Sequence, residues 1–206
     1  MDRAQQRNRK KQSKRQETRQ QRARQQRKQT LVWSGAGLVV IILVGIFIWQ
    51  GNAQGSLGPV GESVAVTPDY VNHIEEGTDP GPFPTNPPAG GRHYGRDLEA
   101  GFFDDAYAAT LGEFPEGYLV HNLEHGYVIF WYNCDLLSPE ACDTLKSDIR
   151  KVMDKFGGSE LIAFPWKSMD IPVAMTSWDR LQRFETFDPA LAERFIRANQ
   201  NKSPEA

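Results

Sequence analysis

Apolar positions along this chain fall into a few dense blocks, and their spacing predicts most of its elements. The first block, from Leu31 to Trp49, is nineteen residues without a charge, dominated by Leu, Val and Ile. As a helix it covers roughly 28 Å, enough for the hydrocarbon core of a bilayer. Trp33 and Trp49 stand at its ends, where amphipathic rings settle at headgroup level. It predicts one transmembrane helix. The second block, Tyr127 to Tyr132, is β-branched and aromatic without polar alternation, so it predicts a strand buried on both faces. From Ser138 to Phe156 the period changes: Ala141, Leu145, Ile149, Val152 and Phe156 recur at helical spacing. Ser138 supplies the cap, Pro139 the first helical position, and Gly157 with Gly158 the stop. Leu161 to Phe164, Val173 to Trp178 and Arg180 to Phe184 read as strands. A last helix starts at Asp188 and Pro189, with Leu191, Phe195 and Ile196 turned inward.

This order predicts an α+β domain: a small mixed or antiparallel sheet with helices on one face, preceded by a transmembrane helix and a disordered tail. Residues 1–30 form the tail, 31–49 the span, 50–61 a Gly-rich flexible linker and 62–206 the folded domain. From Asp69 to Gly95 the chain carries Pro80, Pro82, Pro84, Pro87 and Pro88 among many glycines. That density excludes a long helix or central strand. The embedded Tyr70, His73, Phe83, His93 and Tyr94 predict an ordered loop wrapped onto the core. Phe102 to Leu111 reads as a short extended or turn region.

Charge sharpens the division. Twelve Lys or Arg against Asp2 and Glu17 occupy the first thirty residues, while the remaining twelve basic side chains face 24 acidic ones after residue 50. The positive-inside rule then places the tail in the cytoplasm and the domain outside, at the cytoplasmic membrane. A cleaved signal peptide ending near Ala53 is the competing reading, but the basic region and the apolar run are both too long for one. The tail has almost no apolar residue and suits anionic lipid headgroups. It lacks interleaved aromatic residues for stacking on bases, so no nucleic-acid partner is expected. Nothing in the sequence names a protein partner. Cys134 and Cys142 are the only cysteines; in an exported domain they predict a disulfide, and their spacing matches no standard zinc pattern.

Candidate chemistry centres on His121, Asn122, Leu123, Glu124 and His125, just ahead of the two-sided strand. Buried imidazoles and a carboxylate are costly without partners. In an extended chain His121 and His125 stand roughly 13 Å apart; in a helical turn they are neighbours at about 6 Å. A shared metal therefore implies a helical turn from His121 to His125, ended by Gly126 at positive φ. His73 or His93 would complete the site from the Pro-rich loop, with Glu124 as a further ligand or as support for one. Such a set suits copper or zinc. A metal-free binding module, with the same residues as a structural hydrogen-bond network, is the alternative. His-x-x-Glu-His also matches inverted zinc proteases, although Gly126 and a strand follow where a long helix belongs. No Ser-His-Asp spacing, phosphate loop or dinucleotide glycine pattern supports another enzyme class.

His73, the Pro87-Pro88 pair followed by Gly91 and His93, and the block from His121 to Gly126 ahead of a strand together resemble the bacterial family called domain of unknown function 3105 (DUF3105). The resemblance runs from about residue 60 through the Trp178-containing strand to the C-terminus. Gly90 stands where a serine is common, and Tyr94 near where a tryptophan is usual, which removes support for serine-based chemistry. The resemblance implies an anchored, exported domain in which these histidines occur together, and it brings no activity with it.

Overall fold

The structure is a computed structural model, and it describes residues 60–66 and 73–206. Contacts separate Met1–Gly55 from Ser56–Ala206, and all described residues belong to the second unit. The basic tail, the span from Leu31 to Trp49, most of the linker and Tyr70 lie outside the described residues. Among the described residues no helix is long and apolar enough to cross a membrane.

Strands β1 (Glu62–Ser63), β4 (Gly101–Phe102), β5 (Val128–Tyr132), β6 (Leu161–Pro165), β7 (Val173–Ser177) and β8 (Arg180–Phe184) form one sheet, ordered β1-β8-β7-β5-β6-β4. β6 runs parallel to both β5 and β4, whereas β7 is antiparallel to β5 and β8. The sheet is therefore mixed. A second, two-stranded parallel sheet joins β2 (His73–Ile74) to β3 (His93–Tyr94). Among the described residues the α-helices are α1 (Asp105–Ala108), α2 (Glu116–Glu124), α3 (Pro139–Lys155) and α4 (Pro189–Asn199).

β5 is buried at every position, and strand pleating explains where each side chain goes. Val128, Phe130 and Tyr132 pack with Leu145, Ile149 and Val152 of α3 and with Phe195 and Ile196 of α4. Ile129 and Trp131 point the other way, into a core shared with Leu119, Val120 and Leu123 of α2, with Tyr94 of β3, and with Ala89 and Leu98 of the loops beside it. Each such fully buried side chain contributes roughly 1.5–3 kcal/mol. The expectation of helices on one face is therefore corrected: α3 and α4 cover one face, α2 and the Pro-rich loop the other. A strand apolar on both sides demands a cover on both.

The predicted ends hold. Ser138 Oγ accepts from Ala141 N at the start of α3, and Asp188 Oδ1 accepts from Ala190 N and Leu191 N at the start of α4, caps worth about 1 kcal/mol each. The stretch from Phe102 to Leu111 is not irregular throughout: it closes β4, forms α1 and ends in a 3-10 turn at Ala109–Leu111. Asp104 makes this possible by capping α1 through Tyr107 N. The Pro-rich loop is ordered against the core, with Ala89 fully buried and its carbonyl accepting from Asp179 N. Cys134 and Cys142 form a disulfide with Cα atoms 5.4 Å apart, tying the end of β5 to the first turn of α3.

Candidate metal centre

Two local arrangements build the site. Parallel pairing of β2 with β3 sets His73 directly beside His93 in register. Helix α2 and its C-cap residue then present His121, Glu124 and His125 at i, i+3 and i+4, one helical face. The helix closes onto its neighbours at Gly117, where a Cβ would overlap the Tyr94 ring. It ends at Gly126, whose φ of +87° only glycine adopts readily. A Cβ at Gly126 would also stand 2.9 Å from Asn201 Cα. Asn122 faces away from the histidines and clasps Leu98, accepting from its N–H at 3.0 Å and donating to its carbonyl at 2.8 Å. That clasp fixes the rotation of α2 about its axis.

Donor atoms of His73, His93, His121 and Glu124 all lie within 4.8 Å of one another, a group that could hold a metal ion. Glu124 Oε2 is its hub, 2.8 Å from His93 Nε2, 3.4 Å from His73 Nε2 and 3.8 Å from His121 Nδ1. On its other side, His93 Nδ1 is 2.7 Å from the Gly91 carbonyl oxygen. A carbonyl only accepts, so Nδ1 carries a hydrogen. The Nε2 of a neutral His93 is then a lone pair facing a carboxylate oxygen. The contact is favourable only with a proton between the two atoms or with a metal ion shared by both groups.

His121 is the second unsatisfied point. Its Nδ1 is buried and has no hydrogen-bond partner, while its Nε2 lies 3.1 Å from His125 Nε2. One of those nitrogens donates and the other accepts. If His121 Nδ1 serves as a ligand, His121 Nε2 carries the hydrogen and His125 accepts it, the usual way a ligating imidazole is oriented. Burial holds His121 down to a pKa of about 4, helped by His125, His93 and His73, with Glu124 opposing. Its lone pair is therefore free at neutral pH.

The sequence-predicted residues thus divide. His73, His93, His121 and Glu124 converge. His125 is outside this group, so the pair His121 and His125 does not by itself define the centre; His125 touches His121 and lies 4.0 Å from Glu205 Oε2. Glu124, expected as a supporting or additional ligand, stands in the middle. Its contact with His93 also sets it apart from the free general base of the inverted protease motif. Sequence reasoning took Gly91 only as a motif residue and missed that its carbonyl sets the His93 tautomer, and it missed Ser203, whose hydroxyl donates to the Glu124 carbonyl. A main-chain oxygen and a tail serine carry no sequence signal of this kind. Trp178 stands edge-on to His93 with ring centres 6.1 Å apart.

A family model described as "Protein of unknown function (DUF3105)" matches residues 76–206. The chain belongs to the DUF3105 family. The span shared with DUF3105 contains His93, His121, Glu124, His125 and both cysteines, and it begins three residues after His73. Among curated proteins and solved structures, no match to the chain was found.

Proposed function

We propose that this DUF3105 domain binds one transition-metal ion, zinc or copper, through His73, His93, His121 and Glu124. The observation that carries the reading is the convergence of four donor atoms from separate elements, with His121 Nδ1 buried and unpartnered among them. Zinc–nitrogen bonds of about 2.0–2.1 Å place tetrahedral ligands about 3.3–3.4 Å apart. The distances from Glu124 Oε2 run from 2.8 to 3.8 Å and bracket that value. Three imidazoles and a carboxylate suit zinc or copper. His125 and the Gly91 carbonyl orient two of the ligating rings from outside.

The domain would work outside the cell, held to the membrane by the run from Leu31 to Trp49. The charge asymmetry about that run supports this topology. Protease added to intact cells should then degrade the domain and spare the basic tail.

A second reading keeps the same residues as a metal-free scaffold, favoured by the 2.8 Å contact of His93 with Glu124, which a single proton between them can satisfy. Metal analysis separates the two. Full-length chain incubated with Zn(II) or Cu(II) and desalted should hold one equivalent, and His93→Ala and His121→Ala should hold none. A wild-type chain without stoichiometric metal would leave the scaffold.

A further inference from the structure

The four donors differ sharply in their access to water. Side-chain exposure is 0% for His93, 2% for Glu124 and 9% for His121, but 49% for His73. Solvent thus reaches the cluster from the His73 side. His73 belongs to a two-residue strand paired only with β3 among the described residues. Behind the ring the neighbour is Gly95, where even a Cβ would come no closer than 3.5 Å to His73 Nδ1. The other three donors sit on elements fixed at several points: α2 through the Asn122 clasp, and His93 through Gly91. Structural metal sites are instead closed on all sides by their protein ligands.

Resting on the metal-binding reading, we infer that the centre is an exchange site, which receives and hands on its ion past His73. The incoming group is an imidazole, thiolate or thioether on a partner protein, or a small chelating molecule. It approaches from the solvent side and forms a bond to the ion as the bond to His73 Nε2 breaks. His73 leaves as a neutral imidazole with its lone pair restored, and no oxidation or reduction takes place. Further donors of the incoming partner then bond to the ion as the bonds to His121, Glu124 and His93 break in turn, each leaving with its lone pair restored, so the ion is never released bare. The domain is therefore a carrier in which one donor yields first and the other three hold the ion until the incoming partner replaces them.

The test uses full-length chain carrying one equivalent of Zn(II), mixed with excess zinc-chelating dye at several concentrations. Transfer should rise in proportion to dye, because the dye enters before His73 has left. His73→Ala and His73→Gln should still hold one equivalent and should transfer about tenfold faster or more, since one bond fewer opposes the dye. His93→Ala should hold none. A wild-type rate independent of dye, or loss of stoichiometric zinc in both His73 variants, overturns the exchange site and leaves the metal-binding reading intact. A wild-type chain that takes up no zinc overturns both.

Discussion

Replacing Glu124 by Gln separates a metal ligand from a structural carboxylate, because the two roles change stability under different conditions. The substitution keeps the volume of a side chain that is 2% exposed. In the metal-free chain, the new amide can donate to the His93 Nε2 lone pair that the Gly91 contact creates. A charge-assisted contact worth about 1.5–3 kcal/mol becomes a neutral one worth about 0.5–1.5, so the loss is about 1–2 kcal/mol. With metal the balance differs. An ion at a hundred times its Kd adds about 2.7 kcal/mol to the wild-type protein. For a unit running from Ser56 to Ala206 that is a rise of roughly 5–11 °C in Tm. A Gln at the hub leaves three imidazoles and no charge to balance the ion, so Glu124→Gln should show little of this rise. The assay is thermal melting of both proteins in chelator and in Zn(II) or Cu(II). Equal metal-induced shifts in the two proteins, or none in either, would refute the role of Glu124 as a ligand.

Further outcomes follow from the same geometry. In chelator, stability should fall as pH drops from about 6.5 to about 4. The unfolded chain protonates His121 near its ordinary value while burial keeps the folded ring neutral down to about 4, so acid favours unfolding, by about 3 kcal/mol across the window; urea melts of wild type and His121→Ala should differ in that slope. His125→Ala should weaken metal binding about 10- to 100-fold by releasing the far nitrogen of His121, and His125→Gln, whose amide oxygen still accepts, should recover much of it in a competition titration. Reducing the Cys134–Cys142 disulfide, which closes a short loop, should cost about 2.5 kcal/mol in a urea melt without changing metal stoichiometry, because β5 lies between it and the histidines.

Where chemistry was local, the sequence disclosed it. The stripe from Ala141 to Phe156 and its Ser138 cap mark α3 to within a residue, because helix period and capping are properties of neighbouring positions. The requirement that His121 and His125 approach one another, with Gly126 behind them, led to a helical turn. The turn belongs to a longer helix, Glu116–Glu124, whose Gly117 blurs the helical signal in the sequence and leaves room for the Tyr94 ring. What could not be read was long-range. Nothing near His73 says that it pairs in register with His93, twenty residues on, so the choice between His73 and His125 as the outer ligand was invisible. The two-sided burial of β5 already demanded a second covering layer. Which segments supply it depends on the Asn122 clasp and the buried Pro-rich loop, and these join residues far apart in the chain.

The central claim is a metal ion shared by three imidazoles and one carboxylate, and its most direct test is X-ray absorption at the zinc edge of the loaded full-length chain. The account predicts four nitrogen or oxygen neighbours at about 2.0–2.2 Å, with the multiple-scattering pattern of three imidazole rings, falling to two rings in His93→Gln or His121→Gln if any zinc remains. A spectrum with sulfur neighbours, or one with no imidazole scattering, would contradict it.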